Sequence, residues 1–190
     1  MYATSPLLSS SVRPTEDVDI VVELLTYADH TRIEERLRDL GFTNDSDSGV
    51  ICRYVVQGII VDIMPTNSTI LGFSNKWYTD GLRNAVNCKL DEETEVLIFS
   101  LPYFLASKWE AYKSRGGNDL RTSKDFEDMV YIFEHIDDFP THLIYGPDVV
   151  RKYLAQEIGE ILLTPEFEEG LYCRQDQPHM ELILPTVSRN

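Results

Sequence analysis

Apolar positions recur along this chain in two rhythms. Between 17 and 24 (DVDIVVEL) they form a short β-branched run bounded by acidic residues, which reads as a buried strand. From 30 to 40 the spacing of Ile33, Leu37 and Leu40 predicts a helix, with Gly41 as its stop. Residues 44–49 carry turn chemistry. Two further apolar runs, 50–56 and 59–64, flank Gln57-Gly58 and predict a β-hairpin. The stretch 65–94 mixes loop residues with short segments of no clear period, and 96–100 reads as another strand. Helices are predicted from Pro102 to about Arg115, ended by Gly116-Gly117, and from Lys124 to about His135 behind a Thr122 or Ser123 cap. A third runs from Pro147 to about Leu163. Residues 1–16 read as irregular chain and 166–190 as an extended tail.

The order is strand, helix, hairpin, strand, then helices. It predicts an α+β fold with a mixed β-sheet flanked by helices and a C-terminal helical extension. The expected organisation is an α/β core over 1–100, a helical part over 101–165 that completes the site, and the tail over 166–190.

Composition narrows the functional classes. Hydrophobic residues make up 43% and charged residues 26% of 190 residues, as in an ordinary soluble globular protein. No apolar run approaches the ~20 residues of a membrane span, and the first residues do not read as a secretion signal. Cys52, Cys88 and Cys173 form no zinc motif and no disulfide framework, so a cytoplasmic setting is expected. The formal charge is −15, with 32 acidic against 17 basic residues, which disfavours extended DNA or RNA binding. A phosphorylated small ligand needs only a local cluster of positive charge. Lys108, Lys113, Arg115, Arg121 and Lys124 provide one.

Asp17 and Asp19 stand two residues apart at the mouth of the first strand, so both project from one face. Like charges that close repel, unless a cation sits between them. A divalent ion carrying a nucleoside triphosphate is one answer, and solvated turn carboxylates are the other. Asp62 interrupts an apolar strand, where burial is costly without a partner or a metal. If that strand neighbours the first, three carboxylates share a face and suit in-line displacement at phosphorus. Lys108, Tyr112 and Arg115 lie at i, i+4 and i+7 on one helix face, fit for phosphate or simply solvated. Asp125 and Asp128 open the next helix, where they complement its dipole or orient Lys108. The loop 73–76 is a candidate neighbour of the site. The four histidines show no ligand spacing.

Three segments carry a resemblance: R-P-T-E-D-V-D-I-V-V (13–22), G-I-I-V-D-I-M-P (58–65) and L-A-S-K-W-E-A-Y-K-S-R-G-G-N-D-L-R-T-S-K-D-F-E-D-M-V (105–130). In this order and spacing the chain resembles the nucleotidyltransferase superfamily, in its AbiEii-type toxin and minimal nucleotidyltransferase branch. The resemblance implies a mixed sheet of the nucleotidyltransferase type, Mg²⁺ or Mn²⁺, and transfer of a nucleoside monophosphate from an NTP to an acceptor hydroxyl. It implies Asp17, Asp19 and Asp62 as metal ligands and catalytic residues, with Asp62 the candidate base and Lys108 the catalytic phosphate contact. It further assigns Arg13, Thr15, Lys108, Arg115, Asp125 and Asp128 to nucleotide binding. The implied partners are an NTP, an acceptor (small molecule, protein or tRNA end) and an antitoxin protein, with no membrane.

One departure stands out. The family's Gly-Gly or Gly-Ser turn ahead of R-x-T-x-D-x-D has no counterpart among residues 1–12, where Ser9, Ser10 and Ser11 stand without a glycine. Either the natural start lies upstream or part of the nucleotide grip is lost, which leaves enzyme activity open. The alternative to an active enzyme is a degenerate, non-catalytic member that binds a nucleotide or a protein partner. A third reading, two carboxylates acting as acid and base in hydrolysis, gives Lys108 no task.

Overall fold

The first acidic and apolar run forms strand β1, Asp17–Val22, in the computed structural model, which describes residues 17–115, 119–162 and 164–172. Thr26 then starts helix α1, Tyr27–Asp39. Its hydroxyl accepts the Asp29 N–H at 3.2 Å, while the Asp29 carboxylate accepts the Thr26 N–H at 3.0 Å. This reciprocal cap satisfies donors that a helix start leaves unpaired. At the other end Gly41 takes φ 86°. That left-handed turn lets Phe42 N–H reach Leu37 C=O at 2.9 Å and Gly41 N–H reach Arg38 C=O at 2.9 Å.

The chain continues through β2, Thr43–Asn44, a single 3₁₀ turn at Ser46–Ser48, β3, Arg53–Val56, and β4, Ile59–Pro65. Gln57 and Gly58 both have positive φ, 52° and 82°, as the tightest right-twisting hairpin turn demands. The sheet order is β1-β4-β3-β2. β1 runs parallel to β4, while β3 is antiparallel to both β4 and β2, so the sheet is mixed.

Alternation sorts the two faces of this sheet. One face contributes Tyr54, Val61 and Ile63 to a core closed by Leu37 of α1, with Val22, Ile33, Phe42 and Val56 packed around it. The other face carries Asp17 and Asp19 of β1, Asp62 of β4 and Arg53 of β3. Two expectations are corrected here. The first strand is an edge strand rather than a buried one, with Val18 and Ile20 remaining 49% and 40% exposed. A β-branched run signals a strand but not how many neighbours it has. The strand expected over 50–56 begins at Arg53, because a turn from Val50 C=O to Arg53 N–H (3.1 Å) precedes it.

The stretch 65–94, unassigned from sequence, contains short helices α2, Ser68–Leu71, and α3, Tyr78–Arg83. Strands β5, Val86–Lys89, and β6, Glu95–Ile98, then form a separate antiparallel hairpin. Two compact units divide the chain, Met1–Phe99 and Ser100–Asn190.

The second unit is helical: α4, Leu101–Ser114; α5, Lys124–His135; α6, Phe139–Ile144; α7, Asp148–Ile161; and α8, Pro165–Tyr172. Ser123 caps α5 by accepting the Phe126 N–H at 3.1 Å. Leu105, Ala106 and Trp109 of α4 pack into its core with Phe126, Met129 and Ile132 of α5 and Val150 of α7, all buried. Helix α6 lies between the helices that the sequence pattern predicts. The tail expected from 166 also needs correction, since its first part is helical. Gly170 lets α8 approach closely: a Cβ there would stand 2.8 Å from Leu120 Cβ. The expected helix stop at Gly116-Gly117 and residues 173–190 lie outside the described residues.

Candidate functional site

The acidic face of the first unit is built by strand pairing. In the parallel register Asp19 lies beside Asp62, and in the antiparallel register Arg53 lies beside Asp62 on the other side. Asp62 is 8% exposed, so its charge requires a partner. Arg53 supplies one in fork geometry. Its Nε donates to Asp62 Oδ1 at 2.8 Å and its Nη2 to Oδ2 at 2.7 Å. The same Nη2 stands 3.4 Å from Asp17 Oδ2, so one guanidinium bridges two of the three carboxylates. The hydrogen bonds to Asp62, aided by its charge and that of Asp17, hold Arg53 above its ordinary pKa. Beside it, burial pushes the Cys52 thiol up, which keeps it protonated.

Arg53 is the residue that sequence reasoning missed. A two-residue turn at Gln57-Gly58 pairs 56 with 59, and counting outward pairs 53 with 62. The signal was present in the hairpin itself. Among the described residues, no group of three or more His, Cys, Asp or Glu side chains is set to hold a metal ion as it stands.

A cavity of about 530 Å³ opens where β1 and β4 end, lined in part by Ser74, Asn75, Lys76, Thr79 and Arg83. The expected loop at 73–76 therefore contributes to a polar recess in the same unit.

In the second unit, α4 and α5 meet through charge. Lys108 Nζ donates to Asp128 Oδ2 at 2.7 Å and lies 3.9 Å from Asp125 Oδ1. Arg115 Nη1 donates to the other oxygen of Asp125 at 2.8 Å. Asp125, 4% exposed, thus joins Lys108 of α4 to Arg115 just past its end. Asp125 and Asp128 sit three residues apart and so face the same way. Lys108, Arg115, Asp125 and Asp128 form one cluster, while Tyr112 is buried, with its phenol pKa raised by burial. Arg13 and Thr15 lie outside the described residues.

A second polar cluster ties α7 to α4. Glu157 Oε2 accepts from Trp109 Nε1 at 2.9 Å and Lys113 Nζ at 2.8 Å. Lys113 also pairs with Glu110 at 2.9 Å, and Tyr153 donates its hydroxyl to Glu110. Burial pushes the Glu157 carboxyl up, but the hydrogen bonds from Lys113 and Trp109 outweigh it and hold the group below its ordinary range.

Acidic residues gathered on one face of a mixed sheet, followed in the chain by a lysine helix answered by aspartates, are the arrangement that the resemblance to nucleotidyltransferases leads one to expect. The particular family is shown by the match of residues 7–188 to the model described as "Nucleotidyl transferase AbiEii toxin, Type IV TA system". The chain belongs to this family of nucleotidyltransferase toxins of type IV toxin–antitoxin systems. Comparison with curated proteins and with solved structures found no match.

Proposed function

We propose that this protein moves a nucleoside monophosphate from an NTP to an acceptor hydroxyl, with Mg²⁺ or Mn²⁺ held by Asp17, Asp19 and Asp62. Its chief support is the acidic face of the sheet, where Arg53 Nη2 lies within 3.4 Å of both Asp17 and Asp62. That spot already attracts positive charge. The donors are all carboxylate oxygens, the ligand type that hard divalent ions prefer, and Mg²⁺ needs only one or two of them beside phosphate oxygens. Bound there, the ion would polarise the α-phosphate as a Lewis acid.

The remaining chemistry belongs to the chain. The acceptor oxygen bonds to the α-phosphorus, the bond to the bridging oxygen breaks, and pyrophosphate leaves. Asp62 takes the acceptor's proton. Lys108, held by Asp128, is assigned the phosphate contact, with Arg13, Thr15, Arg115 and Asp125 in nucleotide binding. The acceptor is a small molecule, a protein hydroxyl or a tRNA end, and an antitoxin protein is the expected regulator. No helix among the described residues is long and apolar enough to cross a membrane. Free thiols at Cys52 and Cys88 suit the reducing cytoplasm, which is the proposed location.

Calorimetric titration with each NTP, with and without Mn²⁺, tests the proposal. Binding is expected only with Mn²⁺ and is expected to vanish in Asp17→Asn. Metal-independent binding, or binding that survives this substitution, would exclude it. The second reading, a non-catalytic family member, is favoured by one observation: both oxygens of Asp62 are taken by Arg53.

A further inference from the structure

We propose that Arg53 is the resident counter-ion of the acidic face, and that it and a divalent metal are alternative partners of Asp62. The inference rests on the nucleotidyltransferase reading and adds a residue to its site. Asp62 is 8% exposed, and a carboxylate so placed is costly without compensating positive charge. The protein therefore needs a cation there whether or not metal is present. Arg53 meets that need through both donors of its fork, at 2.8 and 2.7 Å.

This grip has a consequence for metal binding. The two oxygens of Asp62 that would face an ion are those receiving Arg53 Nε and Nη2. The weaker contact to Asp17, at 3.4 Å, draws a second carboxylate toward the same guanidinium. A divalent ion on Asp62 meets the like charge of this guanidinium and competes for the lone pairs that the fork occupies. The apparent metal affinity is reduced by the fraction of molecules in which Arg53 holds on. Once released, the guanidinium stays on a strand neighbouring β4, anchored at the position paired with Asp62. A planar fork of donors in that location is suited to oxygens of a bound phosphate group. Asp17 and Asp62 are thus bridged by one guanidinium rather than left as repelling carboxylates.

The test is Mn²⁺ binding to the full chain, followed by electron paramagnetic resonance of the free ion, for wild type, Arg53→Gln, Arg53→Lys and Asp17→Asn. Arg53→Gln is expected to bind Mn²⁺ about tenfold more tightly than wild type. Its melting temperature, lowered without metal, is expected to rise more on adding Mn²⁺ than that of wild type. Arg53→Lys, which keeps the charge but loses the fork, should fall between them and serves alone if Arg53→Gln does not fold. Equal or weaker Mn²⁺ binding by the Arg53 variants, with binding still lost in Asp17→Asn, overturns the competition while leaving the nucleotidyltransferase reading intact. Failure of every protein to bind Mn²⁺, or full binding by Asp17→Asn, overturns that reading and the competition with it.

Discussion

At the scale of single residues, the chemistry of this protein concentrates in ion pairs that bury one partner deeply. Asp62 and Asp125 are the buried charged residues among those described, and each is met by an arginine in hydrogen-bond contact. Breaking such a pair from one side strands the other charge, which costs more than the pair itself contributes. Asp62→Ala is accordingly expected to lower stability by about 2–3 kcal/mol, since Arg53 is only partly able to reach water. The double substitution Asp62→Ala with Arg53→Met should recover much of that loss, because neither charge then remains unpaired. Urea unfolding of the three variants measures both effects. Asp62 could be singled out from the sequence because a lone aspartate in an apolar strand needs a reason. Its partner could also be counted from the turn, yet the reach of Arg53 to Asp17 could not.

At the scale of elements, the longer helices and the hairpin were legible in the sequence, while the short helices α2, α3, α6 and α8 were not. The α5 boundaries follow from the Ser123 cap and the apolar spacing, both local signals. Helix α8 escaped because its docking depends on Gly170 lying against Leu120, a contact no local pattern announces. The clasp between α4 and α7 was equally hidden, since Trp109 and Glu157 are distant in sequence. It carries a pH dependence. The folded Glu157 has a lowered pKa, so its contribution is present above the ordinary carboxylate range and is lost as pH falls through the folded value. Glu157→Gln is expected to destabilise the chain by about 1 kcal/mol at neutral pH and to flatten the loss of stability on acidification. Melting temperatures of both proteins from neutral to acidic pH provide the check. An unchanged acid slope would rule this clasp out as its source.

At the scale of the whole molecule, charge is the dominant property. A net −15 repels polyanions over the Debye length, and local clusters such as Lys108 with Arg115, already paired with Asp128 and Asp125, leave little positive excess to oppose it. A random-sequence DNA duplex is therefore expected to produce no anisotropy change with micromolar protein at physiological salt. Tight, salt-sensitive binding would show that the local clusters override the overall field. An NTP is a different case, because its few charges can be met by a handful of side chains. For the transfer proposed above, the same acidity favours a small-molecule or protein acceptor over a tRNA end.

The sequence by itself determined the longer helices, the α+β class, the hairpin at Gln57-Gly58 and the family pattern, because caps, turns and apolar periods act between near neighbours. Only the tertiary structure decided that β1 joins β4 as an edge strand in a register that sets Asp19 beside Asp62. It also decided that Arg53 reaches past Asp62 to Asp17 and that Asp125 joins Lys108 to Arg115. These contacts cross between separate elements. Their geometry follows from the burial and pairing of the assembled fold, which no local window of residues contains.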